Sequence, residues 1–143
     1  MGAGTQSVTG VDFQPDFLMY ISTDHATLDT TDSTVAQVSV GFASGSAAQA
    51  GIGTKLNTSG GTPTATFVRQ RTDNAIVELT NTGVEAKLMA LQSFEPDGFT
   101  LNKTSCVDAT VIHYLALKGG NYKVGSFNKS TAAAPFTDAS SLL

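Results

Sequence analysis

The sequence holds a single cysteine, Cys106, and no tryptophan. A lone thiol cannot close an intramolecular disulfide, so nothing in the chain demands an oxidising compartment. Charge is scarce too: Asp, Glu, Lys and Arg supply 14% of the residues, where an average globular domain has about a quarter. The balance is acidic, net −4 with a pI near 4.8. With no Lys/Arg stripe to neutralise phosphates, a nucleic-acid partner is not expected. The nearest basic pair, Arg69 and Arg71, stands isolated on one strand face. No apolar run is long enough to span a bilayer as a helix, so no membrane partner is expected either. The opening stretch MGAGTQSVTG lacks the basic and apolar regions of a secretory signal, and Gln6 stands where N-myristoylation wants Ser or Thr.

What is present is the vocabulary of a β protein. Ser and Thr make up roughly a quarter of the chain, with 14 Gly and 4 Pro. Period-two segments dominate and helical periodicity is almost absent. Strands are expected near Gln6–Thr9, Asp16–Thr23, Val35–Ala43, Ala50–Asn57, Thr64–Arg71, Ala75–Thr80, Val84–Phe94, Phe99–Lys103, Thr110–Leu117 and Tyr122–Phe127. Asn81-Thr82-Gly83, Asp97-Gly98 and Gly119-Gly120 are the turn signals between the later ones. Short strands at this spacing imply an all-β fold, an antiparallel β-sandwich or jelly-roll-like single domain. Its expected extent is residues 6–127, with flexible arms at 1–5 and 128–143.

The strands differ in their patterning. In VAQVSVGFA, Ala36, Val38, Val40 and Phe42 alternate with Gln37, Ser39 and Gly41, which reads as apolar in and polar out. VEAKLMALQSF reads the same way, with Val84, Ala86, Leu88 and Ala90 in and Glu85 and Lys87 out. FLMYI and VIHYLAL do not alternate. Phe17, Met19 and Ile21 share one face while Leu18 and Tyr20 share the other, and His113 is the one polar residue of the second run. A strand that is apolar on both faces needs covering twice: once by the sandwich core and once by a loop, a tail or another subunit.

No motif announces chemistry. Asp24, His25, Asp29 and Asp32 form the best polar cluster, yet they lack the alternating ligand order of a calcium loop and read as turn-capping side chains. His113 reads as a hydrogen-bonded interior or interface histidine, and Cys106 as a packing residue. Ser44 in GFASG does not match the nucleophile-elbow spacing. Asn57, Asn102 and Asn128 match glycosylation sequons but stand in a chain without a secretory signal. A glycoside hydrolase would need paired carboxylates, for which Asp24, Asp29, Asp32 and Glu95 are the available candidates. The reading is not an enzyme, with no cofactor, no metal and no catalytic residue assigned.

Three segments have a familiar look. SVTGVDFQPDFLMYIS resembles the opening strand of a β-rich domain that recurs in virion structural proteins of tailed bacteriophages and prophages. DGFTLNKT and VIHYLALKGGNYKVGSF resemble that domain's last strands, and TVAQVSVGFASG resembles its middle, so the likeness covers about residues 7–127. The resemblance implies a virion setting and a fold, with no catalytic residues to carry over. The expected function is that of a decoration or cement protein binding the outside of the head and stabilising capsomer contacts. The alternative is a tail-fibre, tailspike or baseplate module binding a host-surface receptor. Expected partners are sister subunits, as a homotrimer, and the major capsid protein, on a particle assembled in the bacterial cytoplasm. Candidate interface residues are Phe136, Leu142 and Leu143 in the C-terminal arm, with Tyr20 and His113 on the strands apolar on both faces.

Overall fold

The computed structural model describes residues 2–23, 25–31, 35–59 and 62–128. Among the described residues nine strands are present: β1 (Gly4–Thr9), β2 (Phe17–Ser22), β3 (Val35–Gly45), β4 (Ala48–Ser59), β5 (Thr62–Arg71), β6 (Ile76–Leu79), β7 (Glu85–Glu95), β8 (Gly98–Cys106) and β9 (Ile112–Leu117). They form two antiparallel sheets, one ordered β1-β8-β7-β6 and the other β5-β4-β3-β2-β9. Packed face to face these make a β-sandwich, as the period-two patterning implies. No helix occurs among the described residues. The chain runs β2 to β5 as one meander, crosses to the other sheet for β6 to β8, and closes each sheet with a terminal strand.

Between the sheets lies one apolar cluster, including Leu18, Tyr20, Ile76, Met89, Leu91, Phe99 and Leu101. Tyr20 meets Phe99 edge-on at 5.9 Å between ring centroids. Local bonds fix the corners. Asp97, in the β7–β8 turn, accepts from Gly10 N and Asp12 N at 3.1 and 2.7 Å, which ties the β1–β2 corner to that turn. Asp16, after the buried Pro15, bonds to the far end of the chain and not within its own turn. Its N–H donates to Leu117 O at 2.8 Å, and its carboxylate accepts from Gly119 N at 2.7 Å.

Several expectations are corrected here. Tyr122–Phe127 is not a tenth strand. Gly119 and Gly120, with φ of 77° and 105°, turn the chain off the sheet edge and do not form a hairpin. The N-terminal arm is shorter than residues 1–5, because Gly4 and Thr5 already pair with Lys103 and Asn102. Gly98 serves a close approach more than a turn, since a Cβ there would lie 2.0 Å from Val8 O. Gly125, by contrast, has open space around it.

The largest correction concerns which faces point inward. On β3 the buried residues are Gln37, Ser39, Gly41 and Ala43, while Ala36 and Val38 are exposed and Val40 and Phe42 half-buried. The reason is β6, whose outer edge is pressed against β3 and β4. An added Cβ on Gly41 would stand 1.5 Å from Ala75 O, and one on Gly53 2.0 Å from Val77 O. Ser39 Oγ accepts from Val77 N at 3.0 Å. The interior surface of β3 therefore meets a backbone edge, which requires glycine and a hydrogen-bonding side chain where a packed core would require valine.

Lys87 is likewise inside, not outside. It is 1% exposed and its Nζ lies 2.9 Å from Glu78 Oε2 and 2.7 Å from Asp108 Oδ1. Glu78, also 1% exposed, accepts from Ser22 Oγ at 2.6 Å through its other oxygen. Met89 and Leu91 alternate with the same face as Lys87 and enter the core, while Leu88 and Ala90 are half-buried and Val84 is exposed.

Candidate functional site

The inversion of β3 gives the five-stranded sheet an apolar outer face. Cross-strand register sets out its rows. One runs His113, Ile21, Val40, Ile52, Gln70; the next runs Leu115, Met19, Phe42, Ala50; on the other side lie Val38, Thr54 and Val68. None of these outward positions holds Asp, Glu, Lys or Arg. Five large side chains on it are at least 40% exposed: Ile21, Val38, Ile52, Leu115 and, at 62%, Val68. A solvated sheet face normally bears polar residues, so a contiguous face of this kind marks an interaction surface.

Part of this face is covered by the chain itself. After Gly119 and Gly120 the backbone folds back over β2 and β3, and Tyr122 stacks on Phe17 with ring centroids 5.1 Å apart. Phe17 stacks in turn on Phe42 at 6.3 Å. The Tyr122 hydroxyl donates to Gly119 O at 2.7 Å, which locks the turn. Further on, Gly125–Asn128 border a groove of about 740 Å³ with Phe42 and Ile52 as its floor and Arg71 and Asp73 at one end.

The two arginines that stood isolated in the sequence are neutralised. Arg69 Nε lies 2.6 Å from Glu85, and Arg71 bridges Glu85 at 3.3 Å and Asp73 at 2.6 Å. The hydrogen bonds of Arg71 hold the Asp73 carboxyl below the usual carboxylate range.

The residues singled out from sequence fall in different places. His113 lies on the outer face at its β9 edge, exposed to solvent and not interior. Tyr20 is not on that face at all. It is 1% exposed in the core, burial pushes its phenol well above the usual tyrosine range, and its hydroxyl has no hydrogen-bond partner among the described residues. Phe136, Leu142 and Leu143 lie outside the described residues, as do Asp24 and Asp32. Of the polar cluster, His25 Nδ1 stands 3.1 Å from Thr30 Oγ1 and Asp29 adopts a φ of 60°, while no group of three metal-binding side chains occurs among the described residues. Cys106 is buried in the apolar cluster. Sequence reasoning missed Val38, Ile52 and Val68 as surface residues. The one available signal was three neighbouring strands each with an uncharged apolar set. Comparison with known protein families, curated proteins and solved structures yields no match.

Proposed function

We propose that this chain is a structural binding subunit of a tailed-phage particle, a decoration or cement protein added to the outside of the head. The observation that carries the reading is the uncharged apolar outer face of the five-stranded sheet, exposed at Ile21, Val38, Ile52, Val68 and Leu115. The resemblance of residues 7–127 to a phage virion domain supplies the setting. In this reading the outer face packs against sister subunits in a homotrimer, and the C-terminal arm with Phe136, Leu142 and Leu143 reaches the major capsid protein. Such contacts raise the barrier to capsomer separation without any covalent step. Apolar burial of this kind is worth roughly 25 cal/mol per Å² before the costs of association.

A second reading, a tail-fibre, tailspike or baseplate module, draws support from the groove beside Gly125–Asn128, where an aromatic floor adjoins Arg71 and Asp73. Copy number separates the two. Quantitative mass spectrometry of purified virions is expected to give an amount comparable with the major capsid protein. A handful of copies moves the chain to the tail, and absence from the particle refutes both readings. Deletion of Thr131–Leu143 is expected to abolish binding to bare capsids.

A further inference from the structure

A sheet edge presents unpaired backbone groups, and proteins blunt such edges with inward-pointing charges, short buried strands or prolines. This sandwich blunts two of its four edges. On β5, Arg69 and Arg71 point inward to Glu85. β6 is a buried four-residue strand seated against Gly41 and Gly53. The remaining edges, β1 and β9, lie on the opposite side and are bare among the described residues. GTQSVT and IHYLAL contain no Asp, Glu, Lys, Arg or Pro.

β1 and β9 do not pair with each other, and a cavity of about 130 Å³ opens between them. Its walls include Val8, Tyr20, Phe99, Leu101, Ile112 and Tyr114. Tyr114 is 43% exposed, with its ring edge-on to Phe99 at 5.2 Å. Tyr20 adds a buried hydroxyl without a partner. β9 is pinned at both ends, by Val111 N donating to His25 O at 2.7 Å and by Asp16 N donating to Leu117 O at 2.8 Å. It is a fixed template beside an unfilled pocket.

We infer that β9 accepts a sixth strand, an extended uncharged segment of another protein chain that seats one apolar side chain in the cavity between β1 and β9. The bare backbone edge favours a peptide over a free small molecule, because strand addition satisfies the main-chain groups flanking the pocket. The absence of charge on both edges selects an uncharged segment. β9 is favoured over β1 because a strand added there also continues the apolar outer face past Leu115, whereas β1 is flanked outside by Ser7 and Thr100. The cavity is a little smaller than the roughly 150 Å³ that holds a benzene ring, so it suits a valine or leucine side chain and excludes tryptophan. The pocket lies on the inner side of β9, and the outer face enters this inference only in the choice of β9 over β1.

The test uses the full chain, isotopically labelled for NMR, and short acetylated, amidated peptides in which Thr alternates with one other residue. Peptides with Val or Leu are expected to shift the β9 amides and the ring signals of Tyr20 and Tyr114. Those with Trp or Asp at the same places are expected not to. N-methylation of alternate peptide amides on the edge-facing side should weaken binding by about tenfold or more while leaving the side chains unchanged. The inference is overturned if no peptide shifts β9. It is equally overturned if N-methylated peptides bind as well as their parents, which would make the cavity a small-molecule site. Binding that appears only after residues 129–143 are deleted would overturn it in favour of the chain's own C-terminal segment.

Discussion

Lys87 and Glu78 show how single residues depart from their average behaviour. A buried lysine is tolerated because two carboxylates and the Ala109 carbonyl, 3.5 Å away, surround its ammonium group. Removing one partner leaves the other charge buried and uncompensated. Lys87→Met is therefore expected to cost about 3–5 kcal/mol in urea denaturation, whereas Lys87→Met combined with Glu78→Leu should recover most of that loss. Tyr20 gives a second prediction. Its phenol is held neutral by burial, while an unfolded tyrosine ionises near pH 10. Above that pH the unfolded state binds fewer protons than the folded one, so stability is complete below about pH 10 and falls as pH rises further. In an ultraviolet titration the Tyr20 phenolate signal should appear together with loss of the β-sheet circular dichroism. Its appearance in the folded protein would refute the assignment.

Among the elements, β6 is the least conventional. It has four residues, all buried, and its free edge is satisfied by a different sheet through Ser39 Oγ and a glycine-lined trough. The trough tolerates no side chain. Gly41→Ala or Gly53→Ala should destabilise by about 3 kcal/mol or more, because the new methyl group meets a carbonyl and not a flexible side chain. Gly125→Ala, with open space around it, should stay within about 0.5 kcal/mol of the parent. Thermal melts of the three variants decide the point. Gln49 acts similarly at a β7 bulge, where its side-chain amide bonds Leu91 N at 2.7 Å and Leu91 O at 3.4 Å and so joins the two sheets.

At the scale of the whole molecule, charge is the ordering variable. The chain is net −4, yet the described outward positions of the five-stranded sheet hold no Asp, Glu, Lys or Arg. That face spans four gaps of about 4.8 Å between strands, and five of its large side chains are at least 40% exposed. If sister subunits meet on this face as proposed, the double variant Val38→Lys, Ile52→Lys keeps the melting temperature within a few degrees and lowers the sedimentation coefficient from that of the parent oligomer to that of a monomer. An unchanged oligomer would mean that subunits meet elsewhere. If the proposed function holds, the same variant loses binding to bare capsids.

The sequence by itself determined the β class, the sandwich, and most strand positions, because period-two spacing and turn residues act locally. It also determined the partition of Phe17, Met19 and Ile21 from Leu18 and Tyr20, which follows from alternation alone. Composition alone does not separate Tyr122–Phe127 from a strand, because what it lacks is a strand to pair with among the described residues. Only the tertiary structure decided which face of each strand points inward. Alternation divides a strand into two faces without saying what lies opposite, and opposite β3 lies a backbone edge that selects Gly and Ser in place of Val and Phe. The apolar face thus turns outward for a reason recorded in β6, 38 residues further along the chain at the Ser39–Val77 bond.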